Sequence, residues 1–422
     1  EIAQCLVGSE MCIRDSCYNV KSNYTSSAFR SYDVWYANYK WIANVNYIID
    51  AEPEMAGTEA DVAYVAGQAY AIRALCYLNL ATWFSRAPYN SLTGASRWNE
   101  PCVPVYTTGT SIDTGGQPRE SLRTVYGRID QDIDRAIELL EKARETTLAE
   151  NNKSHINLYV ALGIKSRACL AEGDWDGAFK AAKRVIDEGG YAVGTKSDLT
   201  GGMNSLDKQN VMWGAGIQVA DQAGGYAGFF THMDNKEGAY AKSAPKLISK
   251  QLYNRISATD IRRDWWDPSD KESPYVSKKF SFANVASFLG DYIYMRVEEM
   301  YFTAAEAALR LDDLKSAREL MNTVMAERDP GYSANNRSGT LLGATTTTWT
   351  GSFLENILTH RRIELWGEYG RLFDVRRLGQ GIDRRTDDGF SEECISMMNR
   401  RNVNITKADT YDWVLTIPKA EL

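Results

Sequence analysis

An internal repeat constrains the fold of this chain more than any other feature. Residues 170–178, LAEGDWDGA, align with residues 309–317, LRLDDLKSA, and Val185 and Val324 then follow at equal distances. Each segment has the pattern of a helix end, an acidic turn and the start of a second helix, with a small Ala where the two helices cross. The repeat therefore predicts two helix–turn–helix hairpins.

Helical periodicity elsewhere in the chain extends this prediction. Apolar residues recur at helical spacing along three further stretches, at about 32–52, 59–84 and 121–144, and along both helices of the first repeat copy, at about 157–172 and 174–188. With helix pairs at 32–84 and 353–377, about four tetratricopeptide-like hairpins are expected. The predicted fold class is mainly α, with long irregular loops and a few short strands.

Three stretches interrupt the helical pattern. Residues 85–120 are rich in Pro, Gly, Ser and Thr, residues 189–291 combine many glycines with short apolar runs, and residues 330–352 form a third loop. Long loops on a rigid scaffold often carry binding residues. We therefore expect a helical scaffold at 32–188 and 292–380, a ligand-facing loop region at 189–291 and a C-terminal segment at 381–422.

The stretch 361–379, RRIELWGEYGRLFDVRRLG, combines a few apolar residues with closely spaced opposite charges. Arg361 and Glu364 stand at i,i+3, a spacing that brings side chains together on a helix. Gly367 and Gly370 each weaken a helix by about 1 kcal/mol relative to Ala. The pattern predicts two helices that meet at a tight corner and are held in register by a partly buried ion network, rather than a catalytic site.

The order Arg-Arg-x-Glu-Leu, Gly-Glu-x-x-Arg-x-Phe-Asp and Arg-Arg-x-Gly within this stretch resembles the C-terminal signature of the SusD/RagB family. Two further elements are similar to family patterns, the helix segment 69–80 around Arg73 and the triplet Asp260-Ile-Arg262. The resemblance covers roughly residues 32–422. It implies a single SusD-like domain over 18–422, with the same number of helical hairpins.

Members of this family are nutrient-binding lipoproteins of glycan-utilisation systems in Gram-negative outer membranes. The resemblance implies that the chain binds an oligo- or polysaccharide and delivers it to a SusC-like TonB-dependent transporter, without catalysis and without a cofactor. It also implies a surface-exposed, lipid-anchored protein. Residues 1–17 lack the basic start and apolar middle of a signal peptide, so we expect this segment to be foreign or misassigned and the chain to be truncated at both ends.

Charge and motif content exclude several other classes of function. A formal net charge of -7 argues against nucleic acid and anionic membrane surfaces as partners, because these favour clustered Lys and Arg. The seven Cys and three His contain no C-x-x-C or H-E-x-x-H spacing, which argues against a zinc site. Cys76 and Cys169 lie among apolar residues of helical segments and are predicted to be buried free thiols.

Aromatic residues are the main candidates for ligand binding. The chain has 24 Tyr and 11 Trp, and a flat apolar ring with a polar edge suits the face of a sugar. Because an irregular region cannot easily bury many rings, we expect some of those at 189–291 to be exposed. The predicted ligand-binding residues are Trp98, Trp265, Trp266, Tyr226 and Tyr275. For Trp98 the alternative is that the ring pins its loop to the scaffold.

Other functions remain open beside glycan capture. Relatives that take up peptides keep a peptide-binding role possible, and a helical-repeat adaptor for proteins is a further alternative. A glycoside hydrolase needs two carboxylates that face each other at roughly 5–9.5 Å. The visible pairs, Glu298 with Glu299 and Glu364 with Glu368, lie on predicted helices at the spacing of scaffold residues, so hydrolysis ranks below binding.

Overall fold

A computed structural model describes residues 29–148, 152–219, 228–383 and 414–419. Helices dominate this part of the chain and the strands are few and short, which confirms the mainly α prediction. The predicted foreign segment 1–17 lies outside the described residues.

The described residues form two compact units. The N-terminal unit comprises residues 29–148, 152–185, 376–379 and 414–419. The C-terminal unit comprises residues 186–219, 228–375 and 380–383. The assignment of 18–422 to a single SusD-like domain remains a prediction.

The N-terminal unit is built from long helices: α1 Phe29–Ala51, α2 Glu59–Phe84, α3 Leu122–Lys142, α4 Leu158–Glu172 and α5 Trp175–Glu188, the last three residues of which belong to the other unit. Helix α2 packs against α1 and α3, and α3 packs against α4. Side chains of Thr58, Ser121 and Asn157 accept hydrogen bonds from backbone N–H groups of the first turns of α2, α3 and α4. These caps explain why the helices begin where the sequence predicted.

The C-terminal unit starts with short elements and ends with longer helices. Its helices are α6 Lys196–Thr200, α7 Phe229–Met233, α8 Ala239–Ser243, α9 Lys250–Tyr253, α10 Val297–Arg310, α11 Leu314–Ala326, α12 Phe353–Glu364 and α13 Arg371–Leu378, with residues 376–379 assigned to the N-terminal unit. Strand β1 Val211–Ala215 pairs antiparallel with β4 Tyr292–Arg296, and β2 Trp266–Asp267 with β3 Val276–Ser277. Helix α10 packs against α11 and α12.

The internal repeat is visible in the two turns that it predicted. Gly173 follows α4 with φ 78°, and the aligned Asp312 follows α10 with φ 61°, so each turn reverses the chain direction through a residue in the left-handed conformation. The next residue caps the second helix in each case. Asp174 Oδ1 accepts a hydrogen bond from the Gly177 N–H at 3.0 Å, and Asp313 Oδ1 accepts one from the N–H three residues later, also at 3.0 Å.

Aligned apolar residues of the repeat are buried in both copies. Ala178 and Ala317, placed at the predicted helix crossings, have no exposed surface, and the same holds for Val185 and Val324. A Cβ on Gly177 would lie 2.8 Å from Cys169 Sγ, which shows how closely α4 and α5 approach. The repeat therefore predicted turn geometry and helix packing correctly.

Aromatic rings of the loop region 189–291 form a core inside the C-terminal unit. Trp265 and Trp266 are 2% and 1% exposed and pack among Phe230, Phe280 and Trp366. The Trp266 and Trp366 rings meet edge to face at 5.9 Å. The prediction that Trp265 and Trp266 stack on a ligand is therefore wrong for this structure, because neither ring has a free face.

Candidate functional site

The signature stretch 361–379 lies at the centre of a buried ion network in the C-terminal unit. The Glu364 carboxylate accepts hydrogen bonds from three guanidinium groups, those of Arg262 at 3.1 Å, Arg296 at 3.0 Å and Arg328 at 2.9 and 3.0 Å. Arg262 also pairs with Asp260 at 2.7 Å. All these side chains are fully buried.

A lysine extends the network towards the ring core. Lys279 Nζ donates to the carbonyl oxygens of Glu364 and Trp366 at 2.7 and 2.8 Å and to the Glu368 carboxylate at 2.5 Å. The same ammonium group lies 4.5 Å from the centre of the Trp265 ring, within the range of a cation–π contact. Glu368 also accepts from Arg296 at 2.7 and 2.8 Å. The network thus joins the signature stretch to the buried rings.

The predicted corner and its ion network are confirmed, with different partners from those that the local spacing suggested. Gly367 and Gly370, between α12 and α13, have φ angles of 76° and 119°. Arg361 does not meet Glu364 but pairs with Asp374 at 2.9 Å and with Glu299 at 3.4 Å. The partners of Glu364 instead come from distant segments, so the network ties the unit together across the sequence.

Charge balance in the network keeps its carboxylates ionised. Burial alone would raise the pKa of Glu364, but Arg328, Arg296 and Arg262 outweigh burial and hold that pKa well below its usual range. The pKa of Glu368 is also lowered, because Arg296 and Lys279 outweigh the effect of burial. A general acid needs a raised pKa and access to substrate. Glu364 and Glu368 have neither a raised pKa nor access to substrate, so both are structural residues of the ion network.

A second acidic pair, Asp130 and Glu172, has raised pKa values in the N-terminal unit. Burial and the neighbouring Asp130 raise the pKa of Glu172 to about 9, and burial and Asp134 raise that of Asp130 to about 6. The two groups affect each other, because Asp130 raises the pKa of Glu172 while a hydrogen bond from Glu172 acts to lower that of Asp130.

The first long loop is firmly attached to the N-terminal unit by backbone contacts. Asn46 Nδ2 donates to the carbonyl oxygens of Tyr106 and Thr108 at 3.2 and 2.9 Å. Arg73 Nη1 donates to the Thr107 carbonyl at 2.8 Å, and the Tyr77 hydroxyl donates to the Tyr106 carbonyl and accepts from the Tyr106 N–H. Residues 106–108 are therefore held by α1 and α2, and the loop is an ordered support for the residues around it.

Trp98 of this loop is half-buried at the start of α3. Its backbone carbonyl accepts from the Arg123 N–H at 2.9 Å, and its ring meets Tyr126 edge to face at 5.8 Å. The Arg123 guanidinium carbon lies 5.7 Å from the centre of the Trp98 ring. Trp98 therefore contacts the scaffold, as the alternative interpretation expected, and keeps part of its surface open to solvent.

The other two predicted ligand-binding residues have different positions. Tyr275 is half-buried, meets Tyr253 edge to face at 5.2 Å and has φ 69°, unusual for an aromatic residue. Its backbone is held by a hydrogen bond from its own N–H to Asp267 O at 2.7 Å and one from the Ile248 N–H at 3.2 Å. Tyr226 lies outside the described residues. Both remain predicted ligand-binding residues.

Exposed rings on α1 were missed by the sequence analysis. Tyr36, Trp41 and Tyr47 are 49%, 45% and 55% exposed. The sequence did contain a signal for these rings, because α1 carries apolar residues on more than one stripe. A helix that buries only one face normally has polar residues on the other. The hydroxyl of Tyr47 donates to the Thr110 carbonyl, so this ring is held beside the first loop.

Neither a metal-ligand cluster nor a membrane-spanning helix occurs in the described part of the chain. Within residues 29–148, 152–219, 228–383 and 414–419, no group of three or more His, Cys, Asp or Glu side chains could hold a metal ion. No described helix is long and apolar enough to cross a bilayer. Cys76 and Cys169 are buried free thiols, as predicted, and Cys102 is a third.

Two family descriptions match the chain. The SusD family matches residues 235–420, and a family described as "Starch-binding associating with outer membrane" matches residues 8–170. No curated protein sequence matches.

Solved structures with the same fold are numerous. A SusD-like carbohydrate binding protein from Bacteroides vulgatus is 25% identical, with a TM-score of 0.76 over 99% of this chain and 89% of that one. A SusD superfamily protein from Bacteroides thetaiotaomicron is 22% identical, with a TM-score of 0.74 over 92% and 82%. Surface glycan-binding protein A from Bacteroides uniformis is 16% identical, with a TM-score of 0.69 over 100% and 91%. The last two comparisons establish the fold alone. The two family matches and the 25% identical B. vulgatus structure together identify the chain as a SusD-like protein.

Proposed function

We propose that this SusD-like protein binds a glycan at the cell surface and delivers it to a SusC-like TonB-dependent transporter of the outer membrane, without chemical change to the glycan. The observation that carries the proposal is the position of Trp98. The ring is partly exposed on an ordered loop, within the residues 8–170 that match the starch-binding family description. The carbohydrate-binding name of the B. vulgatus relative supports the same ligand class.

The strength of binding follows from ring stacking. A ring stacked on a flat apolar face contributes on the order of 1 kcal/mol, so one ring alone gives weak affinity. Tyr36, Trp41 and Tyr47 offer further exposed ring surface in the same unit. A ligand longer than one sugar would contact several rings, and we expect modest affinity that increases with chain length.

Calorimetry with glycans selected on an array tests the binding role. We expect saturable binding, and about a fivefold loss of affinity in Trp98→Ala for the loss of one stack. Ile112→Ala is the matched control, because Ile112 is a fully exposed apolar residue of the same loop. Unchanged affinity in both Trp98→Ala and Trp41→Ala would show that these rings do not hold the ligand.

Reducing-end release, measured in the same tubes, tests the absence of catalysis. Binding without new reducing ends supports capture. New reducing ends that accumulate with time would instead identify a hydrolase. Binding of peptides without any binding of glycans would favour a peptide-uptake member of the family.

Expression in the native host tests the transporter partner and the lipid anchor. We expect a tagged version, extracted in detergent, to co-purify with a large β-barrel protein and to incorporate labelled fatty acid. Recovery without any barrel partner would contradict the delivery step, and it would leave the glycan-binding result unaffected.

A further inference from the structure

Arginines of the N-terminal unit differ in how their charge is balanced. Most of those with described contacts meet a carboxylate within 4.0 Å; these are Arg73, Arg86, Arg97, Arg128, Arg135, Arg144 and Arg184. Arg119 and Arg123, which flank the start of α3, form no such pair with any described residue. Two guanidinium groups at the start of α3, of which Arg123 lies over the Trp98 ring, therefore form no ion pair with the described chain.

Both side chains are nevertheless held in place by uncharged groups. The Arg123 guanidinium lies over the Trp98 ring at 5.7 Å. Arg119 donates from Nε to the Cys102 carbonyl at 2.7 Å and from Nη2 to the Pro101 carbonyl at 3.0 Å. A guanidinium that is already oriented loses little conformational freedom when it binds an anion. These two arginines are thus positioned without being neutralised.

Backbone pairing brings the two arginines and Trp98 to the same place. The Cys102 N–H donates to the Glu120 carbonyl at 2.7 Å, the Leu122 N–H to the Glu100 carbonyl at 2.8 Å, and the Arg123 N–H to the Trp98 carbonyl at 2.9 Å. Residues 98–103 therefore run alongside residues 119–123. We name this pair of segments, with its side chains, the Trp98 ladder.

The carboxylates of the ladder cancel only part of this charge. Glu100 pairs with Arg86, whose Nε lies 2.9 Å from Oε2. Glu120 forms no described ion pair, so its carboxylate offsets one of the two arginine charges and leaves the other in excess. The positive field also acts on a neighbouring thiol: burial raises the pKa of Cys102 to about 11, while Arg119 and Arg376 act in the opposite direction and favour a negative charge. The ladder thus carries one excess positive charge on a chain with a net charge of -7.

We propose that the Trp98 ladder recognises an anionic group on the bound glycan, either a uronic acid carboxylate or a sulfate ester, through Arg123 and Arg119. The proposal rests on the glycan-binding role above and narrows its ligand class. Arginine donates two parallel N–H groups to a carboxylate or sulfate, and such charge-assisted hydrogen bonds are stronger than neutral ones. Trp98 would then contact the sugar that carries the anion, beside the guanidinium that lies over its ring.

Matched ligand pairs test the anionic group. The probes are an oligogalacturonide and its carboxyl-reduced form, and a sulfated oligosaccharide and its desulfated form. We expect one acidic member to bind at least about tenfold more tightly than its neutral partner, as one good charge-assisted contact provides. The pair that shows the difference identifies carboxylate or sulfate. The preference should weaken with added salt, because the site is exposed to solvent.

Substitutions at one position test the role of the arginine. Arg123→Gln should abolish the preference for the acidic glycan and leave the affinity for the neutral one within about twofold, whereas Arg123→Lys should retain part of the preference because it keeps the charge. Arg144→Gln, an exposed arginine of the same unit, is the control and should change neither affinity. Circular dichroism of each variant verifies folding.

Failure of this inference can be separated from failure of the proposed function. Equal affinity for acidic and neutral glycans, or an equal loss of both in Arg123→Gln, would overturn the anionic site while glycan binding stands. No binding of any of the four glycans, nor of those selected on the array, would overturn both.

Discussion

Replacement of Glu364 by Gln tests whether the buried ion network holds the C-terminal unit together. The network contains the cations Arg262, Arg296, Arg328 and Lys279 and the carboxylates Asp260, Glu298, Glu364 and Glu368. It is therefore neutral as it stands. Gln keeps the volume of Glu364 but leaves one uncompensated positive charge where no water can reach it.

The expected loss is large for a single substitution. Removal of one partner from a buried ion pair costs about 3–5 kcal/mol, because the remaining charge stays desolvated. Total stability of a domain is roughly 5–15 kcal/mol. Glu364→Gln should therefore lower the free energy of unfolding by about a fifth or more, and we expect a loss near the upper end of the 3–5 kcal/mol range because three guanidinium groups lose the same partner.

Urea denaturation followed by circular dichroism and Trp fluorescence measures this loss. Glu319→Gln is the control, because Glu319 forms an exposed pair with Lys315 at 3.9 Å, and such pairs are worth about 0.2–1 kcal/mol. Adding Arg328→Met to Glu364→Gln restores neutrality and should cost less than the sum of the single substitutions. A Glu364→Gln midpoint equal to that of Glu319→Gln would refute the reasoning.

Three further outcomes are expected. Gly367→Ala should destabilise by about 1–3 kcal/mol more than Gly351→Ala, because both glycines have φ near 75° but only Gly367 would place a Cβ 2.5 Å from Phe280; equal effects in urea titrations would contradict this. Because the pKa of Glu172 is raised, the folded state binds its proton more tightly than the unfolded state, so the free energy of unfolding should fall as pH rises from 4.5 to about 9. Thermal unfolding at several pH values should show a smaller fall in Glu172→Gln than in the unsubstituted protein. Parallel pH curves for the two proteins would contradict this expectation. Burial raises the pKa of Cys76 to about 12, so mass mapping should find it alkylated only after denaturation, and rapid native labelling would disprove its burial.

Local features of the fold were predictable because they depend on neighbouring residues. The acidic turns at Gly173 and Asp312 repeat in sequence, and each turn needs only a residue that tolerates positive φ and a carboxylate cap after it. The corner at Gly367 and Gly370 was predictable for the same reason, because glycine tolerates positive φ. Helix limits such as 59–84 agree with the structure because caps and breakers mark them.

Burial in the irregular region could not be predicted in the same way. Trp266 is covered by Trp366, which lies on a helix corner far along the chain, and no periodicity links the two positions. The three arginines around Glu364 likewise come from separate segments. On α1, the sequence gives the stripes but not which stripe is covered, so the exposed rings Trp41 and Tyr47 were overlooked.

The N-terminal unit combines segments that lie far apart in the sequence, and this affects how it folds during synthesis. Backbone N–H groups of Ser91 and Leu92 donate to the carbonyl oxygens of Arg377 and Leu378, and Arg376 donates to the Ser85 carbonyl across 291 residues of sequence. Translation at roughly 5–20 residues per second separates these partners by about 15–60 s. The N-terminal unit therefore stays incomplete until residues 376–378 have been synthesised. During this period we expect holdase chaperones to bind it.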